Sequence, residues 1–564
     1  MKTNITLLFL TILTIVACEQ SLKETADTIY TNGKIYTVNE AQPWAEAVAL
    51  KDGKFLMVGT DDEIMTLKGG ETEVIDLDGK FVMPGLIDSH IHPHFPYIQD
   101  EAGNLKFSSE LDADGIAKVI REFAAANPDK KWIRGGMYSF GAFPGAKMTR
   151  QWLDEIVPDH PALMEDESGH NFTANSLALE IAGITAETPD PPLGTIDRDP
   201  KTGEPTGYLS EAAINLVGQH LDRISVETFD GAIRKSLKKM TSWGITSFID
   251  MAAPSQSVYV YKQMEADGEL PFRVNAAVML NEYSGEYWTP EEALAFMPEA
   301  VKLSTEQVRT DQFKYWADGT PLSYTSLTVE PYSNKDTYGM LTMTDEMRQA
   351  AIELLGKGYY GHTHAIGDGT VRYMLDLVEE AHEKYPGKVQ RFHMGHNQLV
   401  HPYDLKRFVE LDVVAEVSPP QWFPFSATPL VLDYLGEERF ERWLDIRAML
   451  DSGITVAYGS DWPAGTPTGN PFRGLESLAT RAHPNGEFEG TWGEPITVAE
   501  MIHTATMGGA YAMNREDSIG SIEVGKHADM IIIDRDLFKI NPSDISEVIV
   551  EKTIFEGKVV YKRK

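Results

Sequence analysis

The sequence predicts an α/β protein: a (β/α)8 TIM-like barrel, a small composite β-sandwich domain built from both termini, and a long insertion after the first barrel strand. Three observations predict it. Short β-like segments alternate with helical stretches through the middle of the chain, strand-rich stretches stand at both ends, and about 150 residues separate the first barrel strand from the second. Parallel strands must be joined by crossovers, so strand–helix alternation is what a parallel barrel requires.

Eight segments serve as barrel strands: residues 86–92, 246–251, 273–279, 312–319, 359–366, 391–397, 413–419 and 455–462. Helical stretches such as 345–355 and 370–384 lie between them. The insertion, about 93–243, carries Pro191-Pro192 and Gly-rich turns and is expected to roof one side of the pocket. Near the N-terminus, residues 27–31, Asn32-Gly33 and 34–38 read as a β-hairpin, and residues 47–50, Asp52-Gly53 and 54–59 repeat the scheme. The tail answers with 528–534, 548–550 and 553–561. The expected division is therefore 1–17 signal peptide, 18–83 and 513–564 as the two parts of the β domain, and 84–512 as the barrel.

Of 564 residues, 42% are hydrophobic and 24% charged, a globular rather than disordered balance. Fifty basic against 85 acidic residues give a net charge of −35. Such a field repels nucleic acid and anionic head groups and leaves small molecules and cations as the natural partners. Cys18 is the only cysteine, so no intrachain disulfide exists and a metal site must use nitrogen and oxygen ligands. It closes a short apolar run, residues 5–18, behind Lys2. The run is shorter than the ~20 residues that span a bilayer and reads as a signal peptide. Ile15-Val16-Ala17-Cys18 resembles the bacterial lipobox, which makes Cys18 the lipidated first residue of an exported lipoprotein in the cell envelope, held to the membrane through that anchor only.

The sharpest chemical feature is Pro84-Gly85-Leu86-Ile87-Asp88-Ser89-His90-Ile91-His92. Side chains on a strand alternate faces, so His90 and His92 point the same way and form a chelating pair. Lys314, His364, His396 and Asp461 fall at or near the C-terminal ends of four later strands, the face where barrel enzymes place their chemistry. His362 stands two residues before His364 and His393 three before His396, so a different strand register would exchange their roles. His94 reaches either the pocket mouth or solvent. The alternative for Lys314 is an ordinary buried lysine paired with Asp318 or another acid. The aromatic stretch 419–425 is a pocket wall or core.

These motifs, with Ser168-Gly169-His170, Asn175-Ser176-Leu177-Ala178-Leu179, Gly203-Glu204-Pro205-Thr206-Gly207 and residues 520–529 in this order, resemble the amidohydrolase superfamily. The resemblance is to the type-3 branch that includes N-substituted formamide deformylases, over essentially the whole mature chain. It implies two divalent metal ions of the zinc type. His90 and His92 would hold one and His364 and His396 the other, with Lys314 as an N6-carboxylated bridge. Asp461 is then both ligand and proton shuttle, and His170 contacts a small-molecule substrate. The implied reaction is hydrolysis of an amide or formamide-type C–N bond by metal-activated water. Ester or lactone hydrolysis, an isomerisation, and a non-catalytic surface lipoprotein are the alternatives. A homo-oligomer is compatible with the sequence. No Gly-x-Ser-x-Gly elbow offers a serine nucleophile.

Overall fold

The computed structural model describes residues 24–108, 110–280, 289–425 and 427–564. The barrel consists of β1 (Leu86–Ile91), β2 (Ile245–Ala253), β3 (Arg273–Met279), β4 (Val308–Trp316), β5 (Tyr360–Ala365), β6 (Phe392–His396), β7 (Val413–Val417) and β8 (Val456–Tyr458). They lie side by side in chain order, every neighbouring pair parallel. Each overlaps its expected segment. All nine residues of β2 are buried, which is why barrel strands read as continuous apolar runs instead of alternating ones.

The two edges of the sheet meet through the ends of β1 and β8. Ser89 Oγ donates to Tyr458 O at 2.6 Å and Ser460 N to Asp88 Oδ1 at 2.9 Å. Beyond the strands, Asp461 N donates to His90 O at 2.7 Å and His92 N to Trp462 O at 3.1 Å. The seam that closes the barrel thus runs directly into the residues marked out by the sequence. Below them the barrel is filled by Ile87, Ile249, Ala277, Val414 and Ala457.

Outside the strands, Thr344 caps the helix Asp345–Gly356 by accepting from Met347 N, and the helix Asp368–Lys384 buries Val371, Met374, Leu375 and Val378. The β domain is two sheets. One, of four strands, comes from the N-terminal stretch alone. In the other, Met530–Ile533 from the tail pairs antiparallel with Phe81–Pro84, so both termini are needed to complete it. Buried Arg273, at the start of β3, binds Asp529 and reaches Glu556 Oε1 at 2.6 Å, fastening the barrel to this domain.

One turn differs from expectation. Asn32-Gly33 does not form a hairpin. Thr28–Thr31 pairs with Ala47–Lys51 and Glu73–Asp76 in one sheet, whereas Lys34–Tyr36 pairs with Phe81–Pro84 and Trp44–Ala45 in the other. The turn carries the chain between sheets, each flanking strand pairing with longer-range partners instead of with the other. Asp52-Gly53 is a hairpin turn as read, with both residues at positive φ.

The insertion folds around its own six-stranded mixed sheet, in the order Gly194–Arg198, Pro205–Glu211, Asn171–Ala174, Ala162–Asp166, Ile133–Tyr138 and Leu105–Lys106. Separate apolar clusters line it, one around Ile116, Ile120 and Leu153, another around Leu163, Leu179 and Leu209. The signal peptide and Cys18 lie outside the described residues. No helix among the described residues is long and apolar enough to cross a membrane.

Candidate metal centre

His90, His92, His364, His396 and Asp461 converge at the C-terminal mouth of the barrel and line a cavity of about 720 Å³. His90 Nε2 lies 3.5 Å and His92 Nε2 3.2 Å from Asp461 Oδ1, while His396 Nδ1 lies 3.8 Å from Asp461 Oδ2. The His396 ring is 4.7 Å from His90 and 4.4 Å from His364, centroid to centroid. Each residue is set there by its strand. His90 and His92 share a face of β1 and its end, and His364 is the fifth residue of β5. His396 (φ 72°) and Asp461 (φ 56°) adopt left-handed backbone just where β6 ends and β8 has ended. Such conformations are strained for non-glycine residues and gather where a site requires a particular side-chain direction.

Two glycines make room for His90. A Cβ on Gly459 would stand 2.5 Å from His90 Cβ, and one on Gly395 3.1 Å from its ring. Neither position accepts a side chain without moving the histidine.

Burial sets the protonation of the imidazoles. It pushes His90 and His364 well below the ordinary histidine range and His396 down to about 3, with Lys314 and neighbouring histidines adding to the shift at all three. They are neutral at physiological pH and keep a lone pair. Asp461 behaves oppositely: burial alone would raise it, but His92, His396 and Lys314 outweigh burial and hold it below the usual carboxylate range. It is a carboxylate.

Lys314 is fully buried on β4, in register with His362. Its Nζ has no hydrogen-bond partner, and burial lowers it to about 8. Asp318, the partner that the sequence offered for Lys314, is instead committed to β5. It accepts from His364 Nδ1 at 2.8 Å and from the amides of Ile366 and Gly367 at 3.1 and 3.0 Å. His364 is thereby oriented through one ring nitrogen, leaving Nε2 for a ligand, the usual outer-shell arrangement of a metal-binding histidine. Asp318 follows β4 by two residues, and its position just past a strand end was the signal that could have marked it.

His170 comes from the insertion. Its Nδ1 lies 3.1 Å from Glu211 Oε2, and its ring is 4.8 Å from His364 and 5.3 Å from Trp316. The turn that carries it is held by Asp166, which accepts from Ser168 Oγ, Asn171 Nδ2 and Tyr208 Oη. Gly465 N donates to Glu167 O at 2.9 Å and ties this turn to the loop after Asp461. Gln421 Nε2 reaches Asp461 Oδ2 at 3.2 Å. Of the aromatic stretch, Phe423 and Phe425 line the cavity, while Trp422 is core. His94 is neither at the mouth nor solvated: it is buried, its ring 5.2 Å from Phe229. His362 and His393 are buried and do not line the cavity. Glu211, Gln421 and Glu416 were not singled out in the sequence, because nothing local distinguishes them from other acids and amides.

The residues fit a divalent metal. The donor set is neutral imidazole and carboxylate, the set that suits zinc and related ions. His90 Nδ1, His92 Nδ1 and Lys314 Nζ are buried polar atoms without hydrogen-bond partners, and His90, His396 and Asp461 each offer a ligand atom within 4.8 Å of the others.

A barrel with such a cluster at its C-terminal mouth is that of a metal-dependent hydrolase. The chain belongs to the Amidohydrolase family, whose family model matches residues 73–561. It is 29% identical over 552–556 residues to relatives including the putative amidohydrolase YtcJ of Bacillus subtilis, with 95% of this chain and 99% of YtcJ covered. It is 25% identical to the N-substituted formamide deformylase of Arthrobacter pascens, covering 95% and 98%. An uncharacterized metal-dependent hydrolase from Pyrococcus horikoshii OT3 shares the fold at a TM-score of 0.68 and 22% identity, covering 91% of this chain and 99% of that one.

Proposed function

We propose that this protein hydrolyses a C–N bond of the amide or formamide type, with Asp461 as the proton shuttle. The observation that carries the reading is the position of Asp461 Oδ1, 3.2–3.5 Å from two buried imidazole nitrogens and open to the cavity. Similarity to a formamide deformylase over nearly the whole chain supports the bond type.

His90, His92, His364, His396 and Asp461 would hold the metal, one ion or two, zinc being the ion that this donor set favours, with Lys314 as an N6-carboxylated bridge. When bound, the metal supplies a water acidified to a pKa of about 7 and a Lewis acid for the substrate carbonyl. Asp461, ionised at rest, takes the proton of the attacking water. It then delivers that proton to the departing nitrogen, which could not leave as an anion. Burial of Lys314 favours its neutral amine, the form that combines with carbon dioxide. His170, oriented by Glu211, is placed to meet the substrate beside His364, and the insertion selects what enters. Cys18 remains the proposed lipid attachment, which mass analysis of the mature N-terminus tests.

Asp461→Asn is the central experiment. Turnover of chromogenic amides should fall about 10²- to 10⁴-fold, the usual worth of a positioned general acid–base. Metal content and thermal midpoint should stay near native. Full activity in this variant would remove the shuttle. Activity on matched esters with none on amides would reassign the bond.

A further inference from the structure

Beneath the catalytic layer the barrel holds a second cluster that the proposed hydrolysis does not use. His362 on β5, His393 on β6 and Glu416 on β7 are each at most 1% exposed, and one ligating atom from each lies within 4.8 Å of the others. His362 precedes His364 by two residues on the same strand, so the cluster sits one layer nearer the N-terminal end of the barrel.

Its polar atoms are unsatisfied. His362 Nδ1, both ring nitrogens of His393 and both carboxylate oxygens of Glu416 have no hydrogen-bond partner. Burial pushes the Glu416 carboxyl well above its ordinary range, so with both oxygens unpaired it is either protonated or matched by a cation. Lys314 does not supply it through a hydrogen bond, since its own Nζ lacks one. Gln312 Oε1 lies 3.0 Å from His362 Nε2 and accepts that N–H, which leaves the lone pair on Nδ1. An outer partner that fixes the tautomer in this way is characteristic of metal-binding histidines.

The geometry points to a further divalent cation held by His362, His393 and Glu416. Two imidazoles and a carboxylate form a donor set suited to zinc. The site goes beyond the hydrolytic reading, because it shares no proposed ligand with the layer above. Its link to that layer is His90, whose Nδ1 lies 3.6 Å from Glu416 Oε2 while Nε2 faces Asp461. A cation here neutralises Glu416, fastens three adjacent strands and fixes the carboxylate against which His90 rests.

The test counts zinc in the mature chain after zinc loading and removal of free metal, and locates it by anomalous diffraction at the zinc edge in native crystals. The map should show a peak bounded by His362, His393 and Glu416, separate from density at the cavity. His393→Gln should bind one zinc fewer than native, and His92→Asn should lose zinc at the cavity while keeping the lower peak. A native map with zinc at the cavity and none at the lower cluster overturns this inference and leaves the hydrolase reading standing. A folded His393→Gln with the native zinc count also overturns it. Should that variant fail to fold, the native map decides alone. Zinc at neither position would defeat both readings.

Discussion

The barrel mouth and the insertion that overhangs it present different chemistry to one cavity. The barrel contributes histidines, among them His90, His364 and His396, which burial keeps neutral. The insertion contributes carboxyl groups, Glu165 and Glu167, which burial pushes up to about 7. The same desolvation therefore has opposite uses. It preserves lone pairs for a metal on the barrel side, and on the insertion side it creates groups whose charge changes near neutral pH. The proposed function accordingly gives the reaction chemistry to the barrel and selection to the insertion.

His90→Ala should break the barrel side outright: the metal at the cavity and amide turnover should disappear together, the cation of the lower cluster alone remaining in elemental analysis. Retained stoichiometric metal at the cavity would remove His90 as a ligand. Lys314→Ala should leave metal sub-stoichiometric, and a short carboxylic acid in the buffer should restore part of it if the native lysine carries a carboxylate. Asp318→Asn, which weakens the grip on His364 without touching the cavity, should cost about 10- to 100-fold in metal affinity by competition with a chelator.

The insertion side should yield the smallest effect. Glu167 accepts from Phe140 N and Ser139 Oγ, and glutamine can still accept both. Because its carboxyl is raised from 4.5 to about 7 in the fold, the stability it contributes is present in acid and lost as pH rises through 7. Glu167→Gln should therefore raise the thermal midpoint by about 1–2 °C at pH 8, with the gain vanishing as pH falls toward 4.5. The kcat for an uncharged amide should stay within a few-fold of native. A large loss of kcat would move Glu167 from selection into the chemistry.

The same contrast decides what was readable in the sequence. The barrel strands are apolar segments of regular spacing, and a His-x-His on one of them announces a face, so strand and ligand candidates emerge together. His364 and His396 needed only their place at strand ends. Asp318 was visible only as one possible partner of Lys314, since sequence separation does not tell which of two buried groups an acid will reach. Glu416 was invisible, because its significance lies in His362, His393 and His90, which come from three other strands. The insertion was unreadable for a related reason. Its sheet mixes parallel and antiparallel pairings, and Pro205–Glu211 inserts between two strands that precede it in the chain. Asn32-Gly33 failed for the same cause: turn chemistry is local, but partner choice there belongs to the tail and to residues 81–84.

The seam between β1 and β8 makes the centre a late product of folding. Ser460 and Asp88, joined across it, are 372 residues apart in the chain. At roughly 5–20 residues per second of synthesis, the paired histidines of β1 precede their carboxylate by on the order of 20–75 s. Contacts of such separation form last, after the loop between them has closed. Until then, on the proposed assignment, His90 and His92 would be a two-armed chelator that lacks Asp461. On the proposed ligand assignment, full retention of the cavity metal is therefore the expected signature of a completed barrel.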